Sequence, residues 1–304
     1  MSDLTKYKYD ISASTSDLAN SLLLRRLTLA DVAEICAKDE EEGSSYQCAD
    51  ENEDFTKTKN LAHARDLMIN GDLGLLQKAN TLLDQLEGSF VGSDNQAIQR
   101  VYSPAARIVD RGRFKAGDPM PCYRNRDRLG ESTRLTCTVN LSCSGGIEAD
   151  ALLANGVAVL SVIRSLELLG YSIRLFVGNF TSTGSYKHTD LVLVKDYDGY
   201  VDHSVLAFWI AHPSALRRIN FRMRDHNPDN IRRTMGYISG GGYGSRYNPT
   251  PDQIRDILET DLYFGYLNSY SVRPNEHLDN IFAGDLGEQL KGYGLTNPRY
   301  GMAA

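Results

Sequence analysis

The stretch Asn140-Leu141-Ser142-Cys143-Ser144 places one amide and two hydroxyls at alternate positions. It follows the apolar run LTCTV (135–139) and precedes Gly145 and Gly146. A strand ending this way offers a row of oxygens at the mouth of a loop. Their ordinary use is to cap the next helix and satisfy loop amides; the other is to face a ligand. Two arginine concentrations are the next candidates. One is Arg107, Arg111, Arg113, Lys115, Arg124, Arg126 and Arg128; the other is Arg217, Arg218, Arg222, Arg224, Arg232 and Arg233. Gathered on one face, either set would suit a phosphate backbone or an acidic protein. Interleaved Asp110, Asp127, Asp225 and Asp229 favour the plainer reading of salt-bridged surface and helix-end charges.

Catalytic constellations are scarce. The histidines (63, 188, 203, 212, 226 and 277) form no HExxH pattern and no paired Cys/His spacing, so a zinc site is not expected. His203 pairs with Ser142 or Ser144 only if the fold joins them, and no Gly-x-Ser-x-Gly elbow occurs. Cys143 is expected to alternate inward as core. Asp118 in "GDP" reads as a turn residue. The glycine-dense "GYISGGGYGSRYNP" (236–249) lacks the Gly-Lys-Ser/Thr of a phosphate loop. It reads as a surface loop; the alternatives are a gating or partner-binding loop over the sheet's ligand end and a Tyr/Arg nucleic-acid contact.

At 304 residues, 41% apolar and 24% charged, the chain can bury a core without disulfides. A net charge of -6 argues against a dedicated nucleic-acid binder while leaving room for local basic patches. The five cysteines include no CxxC pair and read as buried free thiols in a reducing cytosol. The polar N-terminus and the lack of a signal pattern predict a soluble, cytoplasmic protein with no membrane contact.

Three regions are expected. Residues 1–100 form a helical N-terminal region with an acidic linker: "SDLANSLLLRRL" places Leu18, Leu22 and Leu23 on one face, and Thr28 with Asp31 makes a box-like helix start. The acidic 39–55 segment is the linker, and "KTKNLAHARDLMING" with "DLGLLQKANTLLDQLEG" gives a helical hairpin, each half closed by glycine. Residues 101–133 are an irregular Arg/Gly/Pro-rich connection. Residues 134–304 give β-α-β-β-α-β-α-β-α, with "INFRM" as a strand ending at Arg224-Asp225 and Thr250-Pro251 starting a late helix. That order implies an α/β, Rossmann-like, mostly parallel sheet with one antiparallel edge strand. Ligands of such sheets sit beyond the carboxyl ends of the strands, where the 140–144 loop lies.

This element order, with an antiparallel third strand, resembles the von Willebrand factor A fold. Its metal-ion-dependent adhesion site takes Asp-x-Ser-x-Ser from a first loop, a Thr from a second and an Asp after the fourth strand. The resemblance implies a variant site here: Asn140, Ser142 and Ser144 in the first loop, Asp202 and Ser204 in the second, Asp225 in the third. Ser142, Ser144 and Asp225 would be the ligands of Mg²⁺ or Mn²⁺, ions that take hard oxygen donors. Asn140 stands where the family has Asp, and no Thr stands in loop two. The segments "AGDPMPC", "VNLSCSGGIEADALLANGVAVLSVIRSLELLGYSIRLF" and "LAFWIAHPSALRRINF" also resemble an uncharacterised phage- and plasmid-borne family with this module. That resemblance implies a phage or mobile-element origin and no established catalytic residue.

The expected function is non-enzymatic: an adaptor or assembly module binding a protein partner, or a second copy of itself, at the top of the sheet. A partner carboxylate would complete the metal shell, or, without metal, bond Ser142, Ser144 and the helix-start amides. The alternative is a nucleic-acid-binding accessory protein using Arg217, Arg218, Arg222, Arg224, Arg232 and Arg233.

Overall fold

The computed structural model describes residues 9–10, 22–37, 52–87, 100–103, 108–109, 114–115, 117, 119–125, 134–183, 186–197, 199–227, 229–236, 244–251 and 253–295. In chain order its elements begin with strands β1 (Tyr9–Asp10) and β2 (Leu22–Thr28) and helices α1 (Leu29–Ala37), α2 (Glu53–Thr56), α3 (Leu61–Asn70) and α4 (Leu73–Glu87). Short strands β3 (Arg100–Ser103), β4 (Ile108–Val109) and β5 (Cys122–Asn125) follow, then β6 (Arg134–Asn140), α5 (Ala149–Leu168), β7 (Ser172–Thr183), β8 (Tyr186–Lys195) and α6 (His203–Ala211). A π-helix, Ala215–Asn220, runs into α7 (Phe221–Asp225) and is followed by α8 (Asp229–Thr234) and β9 (Ser245–Arg246). A second π-helix, Gln253–Ile257, precedes β10 (Leu262–Phe264), α9 (Pro274–Ala283) and α10 (Asp285–Gly292).

The architecture is mixed α/β around a seven-stranded, mostly parallel sheet in the order β1-β2-β8-β7-β6-β10, with β9 joined to β7. The pairs β10/β6, β6/β7 and β2/β8 are parallel, and the hairpin β7/β8 is antiparallel. Alternation sorts the side chains. Cys137, Val139, Leu175, Val177 and Val192 join the main helix-covered core, while Phe180, Leu191 and Leu24 face a smaller cluster closed by Leu258, Tyr247 and Tyr263. The short strands β3, β5 and β4 form a separate antiparallel sheet.

Local chemistry fixes the element ends. Asp31 Oδ2 accepts from Thr28 N–H at 2.8 Å, and Thr28 Oγ1 accepts from Asp31 N–H at 3.2 Å, the reciprocal box at the start of α1. Asn60 caps α3 through His63 N–H, and Gly71 leaves it at φ 84. Thr250 and Gln253 exchange the same kind of bonds ahead of the second π-helix. Helix α5 is long and apolar enough to cross a membrane, but 67% of its apolar window is buried in the fold. It packs as a core helix against α4, α6 and α9.

Three expectations are corrected. Residues 22–28 form a strand, not a helix, and pair along β8 from Leu22↔Lys187 to Thr28↔Leu193. Leu24, Arg25 and Leu27 are buried by the layers on the two faces of the sheet, so tertiary pairing overrides leucine's helix propensity. Consequently β8 is antiparallel to β7 as expected but interior, since β2 covers its other side. "INFRM" is helical. Helix α6 ends at Ala211, and Pro213 begins a new helical run in which Leu216, Ile219 and Met223 are buried at helical spacing.

Candidate functional site

Strand β6 delivers Asn140 to the carboxyl end of the sheet, opposite Gly178 of β7. The amide fixes the turn that follows: Asn140 Oδ1 accepts from Ser142 N–H at 2.9 Å, while its Nδ2 donates to Tyr247 O at 3.1 Å and Tyr263 Oη at 2.8 Å. Ser142 Oγ turns back onto β7. It accepts from Phe180 N–H at 2.7 Å and lies 2.8 Å from both Asn179 Oδ1 and Phe180 O. The chain then adds a one-residue bridge, Cys143↔Leu267, beyond β10. Ser144 O accepts from Ile147 N–H as α5 begins.

Beside this turn lies a cleft of about 370 Å³. Ser142, Cys143 and Gly145 line it from the β6 loop, Asn179 and Thr181 from β7, Leu216, Arg217 and Phe221 from the π-helix and α7, Gly244 and Arg246 from around β9, and Asn52 and Phe55 from α2. Its volume is in the range of small-ligand sites.

The charge in the cleft is positive. Arg217 donates to Phe55 O at 2.7 Å and to Ile147 O, and its guanidinium lies 3.7 Å from the Phe55 ring centroid. Arg246 donates to Asn268 Oδ1 at 2.8 Å and lies over the Tyr266 ring. Among the described residues no carboxylate lines the cleft, and neither arginine has an ion-pair partner. Burial pushes the Cys143 thiol up, against the pull of the Arg217 and Arg246 charges, and burial lowers Arg217. Cys143 is therefore half-buried in the cleft wall as a neutral thiol, not the core residue expected from strand alternation.

The expected metal ligands do not assemble. Because β8 runs antiparallel, its end at Lys195 pairs with Leu175, toward the amino end of β7. Tyr197 there reaches Thr136 and Ser172, near the starts of β6 and β7. Asp202 and Ser204 follow this edge, at the opposite end of the sheet from Ser142. Asp202 Oδ1 caps α6 through Ser204 N–H at 2.8 Å, and Ser204 packs on Gly71. Asp225 is the last residue of helix α7, not a residue after a strand, and lies 3.9 Å from Arg222. After β8 the chain adds the two-residue β9 and then β10, and the residues after β10, Gly265, Tyr266, Leu267 and Asn268, carry no carboxylate. Ser144 is half-buried and Ser142's hydroxyl is occupied internally. Among the described residues no three His, Cys, Asp or Glu side chains gather as a metal set. Neutral oxygens beside two guanidiniums do not fit Mg²⁺ or Mn²⁺, which need anionic oxygen donors.

The second arginine group is corrected as well. Arg217, Arg218, Arg222 and Arg224 are each at most 4% exposed, while Arg232 is half-buried and Arg233 exposed. Arg218 Nε donates to Thr58 Oγ1 at 2.8 Å and its Nη2 to Thr58 O at 2.9 Å. Arg224 Nη2 donates to Asn179 O at 2.6 Å and its Nη1 to Thr181 Oγ1. These side chains hold the fold together and present no continuous basic face. In the first group Lys115 is exposed; the others lie outside the described residues or have side chains outside them.

Behind the cleft sits a buried ionic layer. Asp190 is bonded by Arg25 Nε at 2.6 Å, with His188 Nε2 at 3.5 Å and Arg224 Nε at 3.8 Å; all four side chains are 0% exposed. Burial alone would raise the Asp190 carboxyl, but Arg25, His188 and Arg224 hold it down at about 2. Burial drops His188 to about 3. Sequence reasoning missed Phe55 and Asn179, and reached Arg246 only as part of the 236–249 segment, one alternative for which was a partner-binding loop over the ligand end of the sheet. Asn179 carried a usable signal, a polar residue inside the apolar run from Leu175 to Phe180, whereas Phe55 and Arg246 are brought in by distant segments.

The fold and the cleft define a mixed α/β protein with a ligand-sized, cationic cleft at the carboxyl end of its sheet. The chain belongs to the family described as "Domain of unknown function (DUF7192)", whose model matches residues 18–297. No curated protein and no solved structure matches the chain.

Proposed function

We propose that the chain is a non-enzymatic recognition module, an adaptor or assembly component, that seats an acidic group of a protein partner in this cleft without metal. The observation that carries the reading is the pairing of Arg217 and Arg246 in a cleft with no lining carboxylate among the described residues. A buried or half-buried cation without a counter-ion favours an anionic occupant. The proposed core is von Willebrand A-like; supporting that is β8, the third strand of the C-terminal unit, antiparallel to β7. Burial of the second arginine group weighs against the nucleic-acid alternative.

The test is calorimetric titration of the full chain with acidic peptides in EDTA and in Mg²⁺, using wild type and Arg246→Gln. Binding is expected in both buffers and should weaken about tenfold in the variant, the scale of one charge-assisted contact. Binding that requires Mg²⁺, or that is confined to duplex DNA with a steep salt slope, would overturn the proposal.

A further inference from the structure

Resting on that reading and narrowing it, we infer that the occupant is the carboxyl-terminal residue of a partner chain. Its apolar side chain lies against Phe55, Leu216 and Phe221, and its α-carboxylate meets Arg246 and Asn179. The lining divides by element: Phe55, Leu216 and Phe221 come from the helical segments, beside Arg217, whereas Ser142, Asn179, Thr181 and Arg246 come from the sheet and the loop after β6. Asn179 is 2% exposed, and its Nδ2 has no hydrogen-bond partner among the described residues. A buried donor left this way is costly unless an acceptor arrives.

Arg246 is held by Asn268 and Tyr266 through one nitrogen and the ring face. Its Nε and Nη1 carry no hydrogen bond among the described residues. Arg217 instead spends donors on Phe55 O and Ile147 O. One guanidinium with unspent donors and one amide N–H match the two oxygens of a monoanion. A phosphate, with three oxygens and a charge near -2, would be left under-satisfied. A cleft of about 370 Å³ takes a chain end rather than a long segment. In a terminal residue the apolar side chain and the carboxylate leave the same Cα, so one residue meets both walls. An internal Asp or Glu brings no such apolar group and drags chain through on both sides. Capture of a terminal carboxylate is a known recognition mode.

The test titrates the full chain with short acetylated peptides. The set holds peptides ending in Leu or Phe as the free acid, the same peptides amidated, free acids ending in Ser, and an amidated peptide with an internal Asp. The free acids ending in Leu or Phe should bind about tenfold tighter than both their amides and the Ser-terminated acids. In Arg246→Gln, with melting temperature unchanged, the acid-to-amide preference should shrink to about threefold or less. Equal binding of acid and amide, or of Ser and Leu termini, overturns the inference, as does about tenfold tighter binding of phenyl phosphate. If the internal-Asp peptide binds as well as the free acid, the terminal-residue inference falls while the acidic-partner reading stands. If no carboxylate-bearing peptide binds, both fall.

Discussion

Ser142→Ala distinguishes a structural serine from a metal ligand. The hydroxyl is 2% exposed and accepts Phe180 N–H at 2.7 Å while its own proton faces Asn179 Oδ1 and Phe180 O. Removing it strips a buried backbone donor of its acceptor, a cost of about 1–3 kcal/mol. In a domain of this size each kcal/mol lowers Tm by roughly 2–4 °C, so a fall of roughly 2–12 °C is expected. Ser144 is half-buried and its hydroxyl holds no hydrogen bond among the described residues. Ser144→Ala should therefore stay within about 0.5 kcal/mol. Urea unfolding with an unchanged m-value, run in EDTA and in Mg²⁺, separates the readings. The Ser142→Ala loss should be the same in both buffers. A loss confined to Mg²⁺, or equal losses for the two serines, would refute the reasoning.

The ionic layer makes a larger prediction: Asp190→Ala leaves Arg25 and Arg224 buried without their carboxylate. It should cost about 3–5 kcal/mol in urea midpoint analysis, with Arg224→Met in the same background recovering part of it. Acid should destabilise the protein before its carboxylates titrate. Burial holds His188 at about 3, facing Asp190, Arg224 and Arg25, and His212 at about 4, facing Asp72 and His63. The unfolded chain binds these protons near 6.5 and the folded one does not, so stability falls as pH drops below 6.5, down to about 4 for His212 and about 3 for His188. The slope should reach about 1.4 kcal/mol per pH unit for each histidine, and His188→Asn should remove one share. A Cβ on Gly156 would sit 2.1 Å from Ala211 Cα, so Gly156→Ala should cost about 1–3 kcal/mol. Gly146→Ala, which meets nothing within 4 Å, should melt like wild type.

Periodicity carried the long elements. The 61–87 hairpin, α5, β7, β8 and α6 stand where apolar spacing and caps placed them, since their own patterns decide them. Errors fell where a short run is decided by distant partners. "LLLRRLT" has helical propensity and a buried arginine, and only Asp190 on a strand more than 160 residues later makes the β conformation sensible. "INFRM" has β-branched and aromatic residues, yet the helical start at Pro213 carries through it. The candidate site was half legible. The 140–144 loop stands at the carboxyl end of the sheet as expected, and its Ser142 and Cys143 line the cleft. Its proposed companions were taken from the element order of a resemblance, and the antiparallel course of β8 sends Asp202 and Ser204 to the other end.

The buried arginines explain why the N-terminal segment belongs to the site. Arg218 bonds Thr56 and Thr58, Arg217 bonds Phe55 O, and Ser214 Oγ donates to Thr56 O at 2.6 Å. Without those partners, Ser214, just ahead of the π-helix, and Arg217 and Arg218 within it would be desolvated with unmet donors, at a cost of about 1–3 kcal/mol each. The same docking that meets them sets Phe55 into the cleft wall and holds the Arg217 guanidinium against its ring. What looks in sequence like a basic surface is a socket for a segment about 160 residues upstream. One cation of the cleft is therefore used for structure, and Arg246, carried on a two-residue strand against β7, is left to meet an occupant.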